Sequence, residues 1–310
     1  MKGHWIIGIA VLSAILFGCG PDDHSISVTV VPVPDSGQTQ SYTSSFGQDS
    51  DYLLHPPSYS DNGNGTIADN VTGLMWQKEY NGSRLLSVEG DDYCAGLTQA
   101  DLSDWRVPSD FELMTIVDYG MAVPAINGTY FPNTRYDSPW LTLTGGLSSS
   151  HFTGRWEVDF ETGNLGTRFF LSTSYTRCVR GGQNQRRVFE DKRNGTISDR
   201  ITGLVWQRQD EGTAAVWEDA IAMCEELFLG GNPDWRLPNV KELRSIVNSG
   251  TYAPAAYAGY FPNTRSDSYW SSTTSAANPA AAWRVNFWHG EVDSSFKGNA
   301  FFVRCVRGGE

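Results

Sequence analysis

Hydrophobic and polar residues follow the same order twice along this chain. In the first copy an Asn-Gly pair precedes Ile67, and Leu74 and Trp76 then alternate with more polar neighbours. Asn-Gly is a hairpin signal because both residues tolerate a positive φ, and alternation with period two is typical of a strand with one buried face. The pattern returns 130 residues later, so each copy is predicted to begin with an antiparallel hairpin.

Two helices are predicted in each copy. One starts after the Trp-Arg-x-Pro segment that occurs in both copies. There Ser109 with Glu112, and Asn239 with Glu242, resemble capping boxes. The other is clearest in the second copy, with Thr213 as its predicted N-cap. The residues at helical spacing there are Trp217, Ala220, Ile221, Cys224 and Leu227.

The internal repeat divides the chain into two domains. Residues 104–108 return as 234–238, and the motif at 177–182 returns as 304–309 after a three-residue deletion. A period of about 130 residues is too long for a solenoid unit and indicates tandem domains. We predict domain one at 58–182 and domain two at 188–309.

Each repeat keeps two cysteines, one in its first helix and one in its last segment. Repeat symmetry selects the pairs Cys94–Cys178 and Cys224–Cys305 from the three possible connectivities, and an exported chain lies where disulfides persist. The alternative is buried free thiols.

The fifth cysteine, Cys19, follows a short apolar run after a single lysine. This layout predicts a signal peptide at 1–18, and the residues before Cys19 resemble a bacterial lipobox that directs lipidation of that thiol. A plain signal peptide is the alternative. Residues 19–57 are rich in Ser, Thr, Gln and Pro, and predict a flexible tether.

The ordered motifs T-G-L-x-W-Q, D-W-R-x-P, Y-F-P-N-T and R-C-V-R-G-G resemble the DUF1566 family, also called the Lcl C-terminal domain, in both repeats. The resemblance implies an α+β fold of two tandem C-type lectin-like domains, each with two helices, short antiparallel strands, long loops and one disulfide. Adhesin members of the family imply binding of host glycosaminoglycans.

Catalytic and metal signals are weak. The five histidines share no repeated position, and the chain contains no HExxH, Cys/His cluster or GxSxG motif, so we expect no enzyme activity and no cofactor. Ca²⁺ is the metal that the sequence favours, because oxygen ligands cluster around the first hairpin turn. Its candidate ligands are Asp61, Asn62, Asn64 and Asp69. A hairpin turn capped by these side chains is the alternative.

Residues that differ between the repeats are the candidates for ligand recognition, because repeated tryptophans are expected in the cores. In repeat one these are His151 and Arg155. In repeat two, aromatic side chains could stack on sugars and a basic patch could bind sulfated glycans. The repeat-two candidates are Tyr257, Trp288, His289, Lys297, Arg193, Arg200, Arg208 and Arg244.

Charge limits the choice of partner. The chain carries a net charge of −12, which disfavours nucleic acid. Residues 61–182 have 8 basic and 15 acidic side chains, whereas residues 191–309 have 12 and 13, so repeat two suits a polyanion better. We expect a lipid-anchored protein of the bacterial cell envelope, at the outer membrane or cell surface, that binds a glycan or protein ligand without catalysis. An envelope-assembly module is the alternative.

Overall fold

The computed structural model describes residues 29–145, 154–169, 172–182 and 187–309. The predicted signal peptide, Cys19 and His151 lie outside the described residues. Repeat one has helices α1 (Ser87–Gly96) and α2 (Asp110–Thr115). Its strands are β1 (Tyr59–Asp61), β2 (Thr66–Asp69), β3 (Met75–Gln77), β4 (Leu85–Leu86), β5 (Trp140–Gly145), β6 (Gly154–Val158), β7 (Leu165–Phe169), β8 (Thr173–Ser174) and β9 (Val179–Arg180).

Repeat two follows the same order. Its helices are α3 (Trp217–Glu225) and α4 (Val240–Ser245). Its strands are β10 (Phe189–Asp191), β11 (Thr196–Asp199), β12 (Leu204–Gln207), β13 (Ser268–Thr274), β14 (Ala281–Asn286), β15 (Glu291–Phe296) and β16 (Val306–Gly308). The described chain is therefore mostly β, with four short helices in two tandem domains.

The predicted hairpins are confirmed in both repeats. Sheet β1–β2–β3–β9 in repeat one corresponds to β10–β11–β12–β16 in repeat two, and all neighbours are antiparallel. Gly65 and Gly195 have φ values of +85° and +89°, which is the left-handed conformation that the turn requires. The final strand of each domain thus pairs with its first hairpin and closes the domain.

Helix starts follow the capping prediction in one case and not in the other. The side chains of Ser109 and Asn239 accept the backbone N–H of Glu112 and Glu242 at 3.1 and 2.9 Å, so both predicted capping boxes are confirmed. Thr213 as the N-cap of α3 was wrong, because the helix begins at Trp217 with Val216 at the cap and no side-chain hydrogen bond there. Tertiary packing of the buried Trp217 fixes this helix start without a cap.

Both predicted disulfides are present. Cys94 bonds to Cys178, and Cys224 bonds to Cys305, across 84 and 81 residues of sequence. Each bond ties the first helix of a repeat to the segment that enters its last strand. By the chain-entropy relation, loops of this length stabilise a domain by roughly 4–5 kcal/mol at most.

The two repeats share one sheet. Its order is β13–β14–β15–β7–β6–β5, so three strands of each repeat meet at the antiparallel pair β7–β15, where Val292 lies opposite Leu165. Tyr119 of repeat one packs edge-on against Trp283 of repeat two at 4.8 Å between ring centroids. The domains therefore form a pseudo-symmetric pair with a joint core.

Residues 29–57, here the N-terminal segment, are packed against both repeats, and this corrects the predicted tether for those residues. The Val31 N–H donates to the Ile201 carbonyl at 2.8 Å. The Gln38 side chain donates to the Thr274 carbonyl and accepts its N–H, at 2.8 and 3.0 Å. Pro32 and Pro34 do exclude a regular strand, but proline also preorganises an extended backbone that docks through carbonyls and side chains.

Buried charges fix this segment in place. Lys241 is fully buried, and its Nζ donates to the carbonyls of Asp35 and Thr115 at 3.0 and 2.9 Å. The Thr273 hydroxyl donates to the carboxylate of Asp49 at 2.5 Å. Burial lowers the pKa of Lys241 to about 8 and raises the pKa of Asp49 to about 6, because both charged forms are desolvated.

Candidate functional site: a cavity between the repeats

A cavity of about 640 Å³ opens where α2 and α4 meet. It straddles the junction, because counterpart residues from both repeats line it: Thr72 with Thr202, and Thr115 with Ser245. Residues 31–34 of the N-terminal segment form one wall. A concave site of this size at a domain junction is a common place for ligand binding.

A buried ion pair joins the repeats at this cavity. The Arg244 side chain, 1% exposed, donates through Nη2 to Oδ2 of Asp110, and its guanidinium lies 5.0 Å from the Trp156 ring centroid. The Ser249 hydroxyl donates to the same carboxylate oxygen at 2.7 Å. Because the pair is desolvated, removing either partner alone would leave an uncompensated charge. The pair therefore places two buried, mutually compensating charges at the cavity wall.

Two side-chain groups of cavity-lining residues have no partner within the described part of the chain. These are the Ser245 hydroxyl and Nε of Arg244, both of which are buried. The loop residue Ser249 also donates its backbone N–H to no described residue, in contrast to its counterpart Tyr119. Nearly all buried polar groups in proteins are satisfied, so these two groups are exceptions beside the cavity; both atoms are covered in this conformation, and a ligand would reach them only after a side-chain rotation.

Two aromatic rings and a second arginine complete the wall. The Arg187 guanidinium stacks 4.9 Å from the Phe111 ring centroid, and its Nη1 lies 3.5 Å from Oδ2 of the buried Asp199. Burial lowers the pKa of Arg187, which Asp199 opposes, and burial raises the pKa of Tyr257. Each arginine of the cavity thus faces a carboxylate, so its charges are balanced.

Only two of the predicted ligand residues of repeat two line this cavity, Arg244 and Tyr257. Arg193 is exposed at the β10–β11 turn, where Arg208 lies 3.3 Å from Asp191. Arg200 is exposed at the opposite end of β11. The structure therefore does not gather these arginines into one basic patch.

The remaining candidates lie at other places. Trp288 and His289 occupy the turn between β14 and β15, where Trp288 is 48% exposed. Lys297 is stacked on Trp217, with Nζ 3.7 Å from the ring centroid, and burial lowers its pKa to about 8. In repeat one, Arg155 forms an ion pair with Asp91.

The four metal candidates of the first hairpin are separated by its geometry. Asp61 accepts from the Gly63 N–H and from Lys78, and Asn64 accepts from Thr66. Asp69 is buried opposite Tyr59, at the other end of β1 from Asp61. The oxygens nearest the turn therefore cap the turn itself. Across the described ranges, no group of three or more His, Cys, Asp or Glu is arranged to hold a metal ion.

Sequence reasoning missed Asp110, Ser245 and Ser249. Asp110 has Val240 as its counterpart at the 130-residue offset, and Ser249 has Tyr119. A polar residue at a position where the other repeat has a less polar one was therefore a usable signal. It could not be interpreted without the contact between α2 and α4, which joins residues 134 positions apart.

Fold and cavity together define a mostly β protein of two joined, disulfide-bonded domains. The family described as the Lcl C-terminal domain matches the chain twice, at residues 65–180 and 195–307. These matches cover more than half of the sequence, so the protein belongs to the Lcl C-terminal domain family and carries two tandem copies. No curated protein matches the chain. No helix in the described ranges is long and apolar enough to cross a membrane.

Proposed function

We propose that this protein recognises a glycan or protein ligand, without catalysis, in the cavity between its repeats. The observation that carries the proposal is the preformed cavity of about 640 Å³ at the junction, whose lining includes the polar residues Ser245, Asn248 and Ser249. The cavity also presents Phe111 and Tyr257 beside those groups. Apolar walls with a few fixed polar groups are typical of ligand sites.

The charge balance of the cavity guides the choice of ligand. Arg244 and Arg187 each face a carboxylate, so a polyanion would compete with Asp110 and Asp199 for them. A ligand rich in hydroxyl or amide groups fits better, because it can satisfy Ser245 without displacing an ion pair. Sulfated glycans would instead have to bind outside the cavity.

We further propose that each repeat is a C-type lectin-like domain and that the chain is a lipoprotein of the bacterial cell envelope with an adhesin-like role. The disulfide from first helix to last segment supports the fold proposal. The sequence before Cys19 supports export and lipidation of that residue. Anchoring would place the cavity at the outer membrane or cell surface.

The test is a glycan array, including sulfated glycosaminoglycans, probed with the full chain with and without Ca²⁺. We expect saturable binding to a neutral glycan or, if the array is silent, to an envelope protein partner. Ser245→Ala should weaken that binding about tenfold, the effect of one lost hydrogen bond of about 1.4 kcal/mol, without lowering stability.

Ser198→Ala is the matched control, because it makes β11 identical to its counterpart, which has Ala68. It should leave binding unchanged. A ligand that binds wild type and Ser245→Ala equally well would remove the cavity from the proposal. Turnover of any bound glycan would contradict the non-catalytic role.

A further inference from the structure

The two repeats present the same loop at pseudo-symmetric positions, and only one of the two is covered. In repeat one, the Gly120 N–H donates to the Asp118 side chain at 3.0 Å, and the Asp118 N–H donates to the Ala125 carbonyl at 3.0 Å. In repeat two, Gly250, Asn248 and Ala255 make the same bonds at 3.0 and 3.1 Å. The loops 118–120 and 248–250 thus share one backbone geometry.

The N-terminal segment covers the loop of repeat one. The Tyr119 N–H donates to the Ser36 carbonyl at 2.9 Å. Gly37, at φ +96°, lies so close that a Cβ there would be 2.3 Å from Oδ1 of Asp118. A Cβ on Gly120 would in turn be 2.4 Å from the Gly37 carbonyl oxygen. Ser36–Gly37 therefore fits this loop only because neither Gly37 nor Gly120 has a side chain.

The loop of repeat two lines the inter-repeat cavity instead. No described residue accepts the Ser249 N–H, and a Cβ on Gly250 would approach only the Asn248 side chain of its own loop, at 3.2 Å. Thr72 and Asn248 both line the cavity. A path from Val71, which adjoins Thr72, to Ser249 is the pseudo-symmetric counterpart of the path from Ile201 to Tyr119 that residues 31–36 follow.

From this correspondence we infer that the cavity binds an extended, glycine-containing peptide of a partner protein. Its residue before glycine would accept the Ser249 N–H, and its glycine would lie over Asn248, as Ser36–Gly37 does on the other side. The inference rests on the proposed function and chooses peptide over glycan. The proposed peptide site is also continuous with the surface that binds the N-terminal segment, since residues 31–34 line the cavity.

One difference between the surface that binds the N-terminal segment and the corresponding part of the cavity predicts the chemistry of the peptide. Lys241 donates to the Asp35 carbonyl where the N-terminal segment is bound. The counterpart of Lys241 at the cavity is Phe111. The side chain of Asp35 accepts the His55 N–H at 2.9 Å, a partner that the cavity lacks. A peptide residue two positions before the glycine thus meets an aromatic ring and should be apolar rather than acidic.

The experiment uses synthetic peptides of residues 31–40 and the full chain, with binding followed through the backbone amide signals of Ser249 and Gly250 in NMR spectra. The parent peptide should shift those signals saturably. Its Asp35→Leu variant should bind several-fold tighter, and its Gly37→Val variant at least tenfold more weakly. On the protein, Gly250→Val should weaken binding at least tenfold.

Gly259→Val is the matched protein control, because Gly259 is exposed and a Cβ there would contact nothing within 4 Å. It should bind as wild type does. No saturable shift at millimolar peptide, shifts confined to other residues, or equal affinity for the Gly37→Val peptide would each overturn the inference. If glycan binding is nevertheless lost in Ser245→Ala, the proposed function survives and only the peptide assignment fails.

Discussion

The two repeats bury an arginine at the same position and support it differently. Arg177 and Arg304 each donate to two backbone carbonyls and to one threonine hydroxyl. Arg304 has in addition the buried carboxylate of Asp210, at 3.2 Å, where repeat one has Tyr80. Burial lowers the pKa of both arginines, that of Arg177 to about 9, and Asp210 opposes the shift at Arg304.

A second contrast lies at the junction. The buried pair Arg244–Asp110 has the counterparts Met114 and Val240, which are both fully buried in the joint core. One pseudo-symmetric position is therefore ionic and the other apolar. Because an apolar pair fits the counterpart position, we expect an apolar pair to be able to replace the ionic one without loss of the fold.

The largest effect is expected from Asp210→Ala. It leaves the Arg304 charge buried without an acid and removes the acceptor of the Tyr269 hydroxyl, so the free energy of unfolding should fall by about 3–5 kcal/mol. Urea unfolding measures the change. Tyr80→Phe at the counterpart position should cost less than about 0.5 kcal/mol. Similar losses for both variants would contradict the different roles assigned to these positions.

The next largest effect on the free energy of unfolding is expected when Arg244 and Asp110 are replaced by the apolar residues of the counterpart position. Arg244→Met alone should destabilise the protein by about 3 kcal/mol, because Asp110 is left as an uncompensated buried charge. Adding Asp110→Val should recover most of that loss, since the apolar pair Met114 and Val240 already occupies the counterpart position. A double-mutant cycle by urea unfolding checks this. Additive losses would show that the two side chains are not coupled.

The N-terminal segment should make stability depend on pH through Asp49. Its pKa is about 6 in the folded protein, above the ordinary value of 3.8, so the folded state binds more protons between about pH 4 and 6. As the pH rises through that window, deprotonation of Asp49 therefore lowers the free energy of unfolding. Above the window the whole decrease has occurred.

Asp49→Asn removes this titration while keeping an oxygen to accept from Thr273. The variant should gain stability relative to wild type as pH rises from 4 to 7, by about 2–3 kcal/mol, from thermal unfolding at both pH values. A constant difference between the two proteins across this range would refute the assignment. Other carboxylates affect both proteins equally and cancel in the comparison.

The smallest effect is expected from Trp288→Ala at the β14–β15 turn. The side chain is 48% exposed, and its repeat-one counterpart is Glu161. The free energy of unfolding should change by no more than about 0.5 kcal/mol, and ligand binding in the cavity should be unaffected. Loss of binding in this variant would move the site to the hairpin turn and away from the cavity.

Local features of the fold were predictable from sequence because their causes are local. Asn64–Gly65 forms the turn, Ser109 and Asn239 cap their helices, and repeat symmetry paired the cysteines. The start of α3 was missed because Trp217 is fixed by packing, which a capping rule does not include.

The cavity could be predicted only in fragments. Tyr257 was identified because it differs from repeat one and Arg244 because it adds positive charge to repeat two, but their neighbour in the cavity, Asp110, belongs to the other repeat. The sheet pairing of β7 with β15 and the docking of residues 29–57 depend on how the repeats meet. No periodicity within one repeat encodes that arrangement.

The route of the N-terminal segment has a mechanical consequence. Along the segment, Val31 bonds to Ile201 of repeat two, Ser36 bonds to Tyr119 of repeat one, and Asp49 bonds to Thr273 of repeat two, all before β1 begins at Tyr59. A pulling force applied at the N-terminal end of this segment would therefore act first on the bond to Ile201 and then alternately on contacts with repeat one and repeat two. Tension along the segment would thus be shared between the two repeats, because its contacts alternate between them.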